Sequence, residues 1–124
     1  MAFKTLCSIA ALLSAAVTCQ AVEFGNAANI IWYMFNGSAL TGTMAVQNIA
    51  PQKDIKIVYA NKAQQWGNTC DAHYNYGPAE GSLYEMWSFN CPINSAGISQ
   101  FYVEYKVDGK TYYNHNDDGK NFQV

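Results

Sequence analysis

The sequence predicts an all-β fold, and three observations carry that prediction. Apolar and polar residues alternate repeatedly from Asn29 onward, turn-forming residues interrupt the alternation about every eight to twelve positions, and no stretch sustains the 3.6-residue period of an amphipathic helix. Successive side chains of a strand point to opposite faces, so a period of two describes a sheet with one face buried and one in water.

The elements follow in chain order. A first strand is expected over about Asn29 to Phe35, closed by Asn36-Gly37-Ser38, which is both a turn signal and an N-glycosylation sequon with Asn36 as the candidate acceptor. Ala39 to Asn48 then sets Leu40, Gly42, Met44 and Val46 on an inner face against Thr41, Thr43, Ala45 and Gln47. After the break at Pro51, Lys53 to Ala60 opposes Ile55, Ile57 and Tyr59 to Asp54, Lys56 and Val58. The pattern stops between Asn61 and Tyr76, a polar stretch that still contains Trp66, Tyr74 and Tyr76. It resumes from Tyr84 to Asn90, with Glu85, Trp87 and Phe89 on the core side and Tyr84 outward. Gln100 to Val107 buries Phe101, Val103, Tyr105 and Val107 and leaves Tyr102 outside among Gln100, Glu104 and Lys106. Asp108-Gly109 is a two-residue hairpin signal leading into Lys110 to Asn114, where Tyr112 and Tyr113 must face opposite ways; alternation alone leaves open which is outside. Such a succession of short antiparallel strands in about 100 residues predicts an immunoglobulin-like antiparallel β-sandwich of about seven or eight strands.

The first 21 residues are read separately. Lys4 precedes an apolar run from Ile9 to Val17, and Cys19 and Ala21 place small residues where a signal peptidase cuts. The run is shorter than the roughly 20 residues a membrane span needs. Residues 1–21 are therefore expected to be a secretory signal peptide, and 22–124 a single secreted, soluble domain that is monomeric, has no membrane contact and carries no appended catalytic module. Cys7 and Cys19 would leave with the leader. Cys70 and Cys91 remain, an even count in an oxidising compartment, and are expected to pair. Two cysteines and two histidines, His73 and His115, lack the close paired spacing of a structural zinc site, so no metal and no cofactor are expected.

Charge excludes a further class of partner. The net charge is −2 and the seven basic side chains are all lysines, so a phosphate backbone would be repelled and no nucleic-acid partner is expected. Catalysis needs a nucleophile beside a base, or a pair of carboxylates, and neither stands out, because Glu85, Glu104 and Asp108 are scattered over strands and a turn. The bias lies instead in the aromatic rings: three Trp, nine Tyr and six Phe, all but Phe3 after residue 21. One outward tyrosine is ordinary edge cover, but a tryptophan in a polar loop accompanied by several outward tyrosines fits a sugar-binding surface. The C–H face of a pyranose packs on an aromatic plane while its hydroxyls seek amides. Trp66, Tyr102 and one of Tyr112 and Tyr113 are the candidate rings, with Asn68, Asn114 and Asn116 as hydroxyl partners.

A family resemblance extends this reading. Asn48-Ile49-Ala50, Ile57-Val58-Tyr59-Ala60, Trp66, Tyr84-Glu85-Met86-Trp87-Ser88-Phe89, Phe101-Tyr102-Val103-Glu104-Tyr105 and Gly109-Lys110-Thr111-Tyr112-Tyr113 resemble, in order and spacing, carbohydrate-binding module family 21. This family includes the N-terminal starch-binding domain of certain fungal glucoamylases. The resemblance implies an immunoglobulin-like sandwich with two sites for α-1,4-glucans, and therefore non-catalytic binding of starch, glycogen or maltooligosaccharides. Its first site corresponds to Trp66, Tyr102 and Tyr113, which selects Tyr113 over Tyr112. Its second corresponds to Tyr74 and Tyr84, with Pro51 at the third aromatic position and Lys53 and Glu85 as hydrogen-bonding partners; proline lacks a π-face, so this site is expected to be weaker. The family's Asn-rich run after the tryptophan is shortened here to Gly67-Asn68, His115 replaces an asparagine, and Cys70 and Cys91 lie outside the family pattern. The competing expectation is a secreted protein-interaction module, effector or inhibitor-like, that keeps this fold without glucan binding.

Overall fold

The structure, a computed structural model, describes residues 26–78, 81–114 and 120–124. The expected leader, residues 1–21, lies outside the described residues, as do His115 and Asn116. Nine strands are present among the described residues: β1 (Ala28–Phe35), β2 (Ala39–Gln47), β3 (Lys53–Ala60), β4 (Asn68–Asp71), β5 (His73–Tyr76), β6 (Tyr84–Pro92), β7 (Gln100–Val107), β8 (Lys110–Asn114) and β9 (Phe122–Gln123). They form two antiparallel sheets, one in the order β1-β2-β6-β5 and one in the order β4-β3-β7-β8, with β9 also on β7. The all-β sandwich read from the alternation is the fold observed.

Three strands were not foreseen. β4 and β5 lie in the polar stretch before Tyr76, and β9 is only two residues long. β4 and β5 are edge strands, each hydrogen-bonded to one neighbour, so they bury little and carry polar residues that mask the period of two. The chain passes from β4 to β5 through Ala72 alone, and in doing so changes sheet.

The core fills the space between the sheets. Leu40, Met44 and Val46 of β2, together with Phe89 of β6, face Ile55, Ile57, Phe101, Val103 and Tyr105 of β3 and β7. Phe101 stacks on Phe122 of β9 at 5.0 Å and meets the edge of Tyr33 at the same distance. Gly42 is required by this packing, since a Cβ there would fall 2.5 Å from the Phe89 ring and from the Trp32 carbonyl oxygen. Asp108 (φ 52°) and Gly109 (φ 73°) are both left-handed, as a type I′ hairpin demands.

The sides of the sandwich are tied. Cys70 of β4 and Cys91 of β6 form a disulfide between the two sheets, with a Cα–Cα separation of 5.7 Å. On the opposite side the Asn114 side-chain amide of β8 donates to the Ala28 carbonyl of β1. A polar bridge also crosses the sandwich: Lys53 Nζ lies 3.3 Å from Glu85 Oε1, their side chains only 3% and 11% exposed. Lys53 Nζ donates to Asn48 Oδ1 at 2.7 Å and Trp87 Nε1 to Glu85 Oε1 at 3.0 Å, so the buried charges are both paired and hydrogen-bonded.

Two stability predictions follow from these contacts. Replacing both Cys70 and Cys91 by serine removes a cross-link of sequence separation 21, with an expected cost of about 3 kcal/mol and a Tm lower by roughly 10 °C or more on thermal unfolding. Tyr105 is fully buried, its hydroxyl donates to the Gln47 carbonyl at 2.7 Å, and burial pushes its pKa up to about 12. The neutral phenol therefore contributes stability that is complete below about pH 10, where an unfolded tyrosine ionises, and that is lost as pH rises toward 12. Tyr105→Phe should cost about 1 kcal/mol at neutral pH and flatten this alkaline decline in urea-unfolding midpoints; equal declines in both proteins would assign the alkaline sensitivity elsewhere.

Candidate functional site

The loop between β3 and β4 is fixed by its own side chains. Asn61 Oδ1 accepts from the backbone amides of Ala63 (2.9 Å) and Gln65 (3.0 Å), and the Asn61 amide donates to the Gln65 carbonyl. The resulting tight turn takes Gln64 to φ 62° and Gly67 to φ 100°; nothing lies near a Cβ at Gly67, so glycine serves the backbone angle there. Asn68 Nδ2 donates to the Tyr59 carbonyl at 3.1 Å and to the Gln65 carbonyl at 3.0 Å, tying the loop back to β3. Trp66 is held at the outer surface of this loop, 43% exposed.

Three rings then run across the outer face of the β4-β3-β7-β8 sheet. Trp66 meets Tyr102 with centroids 5.5 Å apart and planes 37° from parallel, and Tyr102 meets Tyr113 at 5.9 Å and 69°. Tyr113 is well exposed, while Tyr102, flanked by the other two, is half-buried. Burial, reinforced by the nearby Glu104 carboxylate and Tyr113, raises the Tyr102 pKa above that of an ordinary tyrosine, so its hydroxyl remains a neutral donor. Val58 points to this outer face between Tyr102 and Thr69 of the flanking strands and is only 7% exposed.

Amides and charges border the rings. Gln100 shares the outward parity of Tyr102; its Nε2 donates to Gln64 Oε1 at 2.9 Å, and its Oε1 accepts from Asn121 Nδ2 at 2.9 Å. On the other flank Lys56 bridges Asp71 (2.7 Å) and Asp54 (3.5 Å), and Lys106 lies 3.4 Å from Glu104. The Asp71 hydrogen bond raises the Lys56 pKa, and the same contact holds Asp71 below the usual carboxylate range.

The expected residues divide accordingly. Trp66, Tyr102 and Tyr113 come together. Asn114 does not join them: it pairs with Val103 on the inward side, is 4% exposed, and its amide bonds Ala28. Two-residue periodicity, which sends Tyr113 out, sends Asn114 in. Asn68 does not join the rings either: it pairs with Tyr59 on the core-facing parity of the sheet, and both its donor bonds brace the Trp66 loop. Asn116 lies outside the described residues. Gln64, Gln100 and Asn121 were missed; for Gln100 the usable signal was its parity with Tyr102.

The second group is looser. Tyr74 is 53% exposed, packs edge-on against Trp87 at 6.0 Å, and donates its hydroxyl to the Gly77 carbonyl at 2.5 Å. Pro51 is exposed in the bend before β3, and Tyr84 is half-buried at the start of β6. Lys53 and Glu85 do not present hydrogen-bonding groups to a surface ligand, because they are buried and bonded to each other, to Asn48 and to Trp87. Asn36 is exposed in the β1–β2 turn, where its Oδ1 accepts from the Ser38 amide (2.9 Å), the Ser38 hydroxyl (3.0 Å) and the Ala39 amide (2.8 Å). Among the described residues, no group of three or more His, Cys, Asp or Glu is placed to hold a metal ion, and no helix is long and apolar enough to cross a membrane.

The profile of the carbohydrate/starch-binding module family 21 matches residues 26–124. The chain belongs to this family. Glucoamylase 1 of Rhizopus oryzae is 43% identical over 95 residues, which are 74% of this chain and 15% of that protein, so the chain spans a small part of the relative's length. The starch-binding domain of Rhizopus oryzae glucoamylase, solved in complex with β-cyclodextrin and maltoheptaose, superposes with a TM-score of 0.72 at 38% identity, covering 81% of this chain and 93% of that one. The carbohydrate-binding module of the muscle glycogen-targeting subunit of protein phosphatase-1 shares the fold at 16% identity, with a TM-score of 0.57 over 79% of this chain and 76% of its own.

In this family 21 module the tryptophan loop depends on Asn68. Asn68→Ala removes two donor bonds, one part-buried and one exposed, and is expected to cost about 1 kcal/mol. It should also speed amide exchange across residues 61–67 while leaving β7 unchanged. Unaltered exchange in that loop would show that Asn61 alone closes it.

Proposed function

We propose that this chain binds α-1,4-glucan, as starch, glycogen or maltooligosaccharide, on the Trp66–Tyr102–Tyr113 row, without catalysing a reaction on it. The observation that carries the reading is the contiguity of the three rings, at 5.5 and 5.9 Å, on the outer face of one sheet with an amide strip beside them. Successive glucose units would lie on Trp66 and Tyr113, with the Tyr102 hydroxyl and the Gln64, Gln100 and Asn121 amides meeting their hydroxyls. Family membership and the glucan ligands of the solved starch-binding domain support this assignment.

Catalysis is not supported by the carboxylates described. Glycoside cleavage needs a carboxylic acid kept protonated near neutral pH. Asp71 is shifted the opposite way by Lys56, and Asp54 and Glu104 are paired with lysines. Tyr74, Tyr84 and Pro51 make a weaker second contact in this proposal, since Lys53 and Glu85 are engaged elsewhere. Secretion fits the Cys70–Cys91 disulfide, a bond favoured outside the reducing cytosol.

Pull-down on granular starch, with cellulose as control, tests the reading. Wild type should be retained on starch, and Trp66→Ala should weaken retention by roughly tenfold while its circular dichroism is unchanged. Recovery of the wild type in the supernatant of both polymers would favour a protein-interaction module instead.

A further inference from the structure

The outer face of the other sheet is of a different kind. Its register aligns Trp32, Thr43, Ser88 and His73 in one row across β1, β2, β6 and β5, and Met34, Thr41 and Asn90 in the next. Trp32 is 49% exposed and Met34 55%, beside Ile31, which the β1 bulge leaves 44% exposed. Further outward positions, among them Gln47, Tyr84, Met86, Tyr76 and the buried Asn29 and Ala45, are also uncharged. The opposite face, by contrast, carries Asp54, Lys56, Asp71, Glu104 and Lys106.

A solvent-facing sheet normally carries charges, which keep it soluble and unpaired. This one replaces them with a half-open indole followed by hydroxyl, hydroxyl and imidazole, one strand spacing of about 4.8 Å apart. That sequence of groups suits an uncharged polymer whose rings have an apolar face and whose rims are hydroxyls. It is unsuited to a nucleic acid or an anionic lipid, for which it offers no lysine. A second copy of the chain is a poor occupant: three half-exposed side chains are a small part of the roughly 800 Å² per partner that a stable dimer buries.

We propose that this face, centred on Trp32, is a separate glucan-contacting surface pointing away from the Trp66 row, so that one module touches two polysaccharide chains. The proposal rests on glucan binding at the Trp66 row as the principal activity. Its ligand is the polymer, because a single ring on a flat face gains little from a short free oligosaccharide but much once the module is already tethered.

The experiment compares wild type, Trp32→Ala and Trp66→Ala, each checked for folding by circular dichroism. Trp32→Ala should bind maltoheptaose as wild type does, yet be retained roughly five- to tenfold less well on granular starch. It should also lose the light-scattering increase expected when wild type bridges soluble glycogen particles. A folded Trp32→Ala protein with wild-type retention and scattering would overturn the proposal. So would a wild-type dimer, seen by sedimentation without polysaccharide and abolished by Trp32→Ala, which would assign the face to self-association. Absence of any starch retention by wild type would overturn the principal reading and this one together, a result distinct from failure of Trp32→Ala alone.

Discussion

Ile57 of β3 lies opposite Val103 of β7, and Val58 lies opposite Tyr102. That register decides what each face of the sheet contains. Phe101, Val103 and Tyr105 point inward, onto Leu40, Met44 and Phe89, while Tyr102 points out beside Trp66 and Val58. A slip of one residue would exchange the two sets, placing Phe101 and Tyr105 in water and Tyr102 in the core. The penalty for that exchange is the burial of most of the sandwich interior, so the position of the outer rings is enforced by the inner ones. β7 is suited to this part because it pairs with β3 along its whole length and with β8 and β9 along its other edge.

Rigidity at the ring row has several independent sources. Asn61 and Asn68 hold the tryptophan loop with backbone-directed bonds, the disulfide fixes β4 to β6, and the Asn114 amide fixes β8 to β1. The three rings therefore come from elements that are each anchored to the opposite sheet or to a neighbouring strand. Preorganisation of this kind reduces the side-chain ordering cost of binding, on the order of 1 kcal/mol per immobilised side chain. A site with few contacts depends on such savings more than a deep pocket does.

Sequence periodicity disclosed the sandwich and the outward placement of Tyr102 because both follow from a period of two on a strand with one apolar face. The same rule, applied to Tyr113 and Asn114 together, would have sent them to opposite faces; reading Asn114 as a surface partner overlooked this. β4 and β5 were illegible because edge strands such as Asn68–Asp71 need bury little, so their composition resembles a loop. Lys53 and Glu85 are hidden for another reason. Alternation sets Glu85 on the core side and Lys53 on the parity of Ile55 and Ile57, but the two lie 32 positions apart, and only the folded register brings them within 3.3 Å inside the sandwich. The amide strip of Gln64, Gln100 and Asn121 likewise depends on three separate segments converging, which no local pattern encodes.

The shallow geometry of the ring row bears on how it would work. Each ring stacked on a sugar is worth about 1 kcal/mol beyond burial, and an open face desolvates only one side of the ligand, which corresponds to dissociation constants of roughly 10–1,000 µM for a short chain. Such affinity is low for a free oligosaccharide. Along a polymer, however, identical binding units recur within reach of the departing module, so each dissociation is followed by rebinding at high effective concentration. Weak contacts then allow movement over the polymer without escape from it. A deep, tight pocket would hold one chain end and forfeit this mobility, whereas an open row of tilted rings on a sheet would keep it.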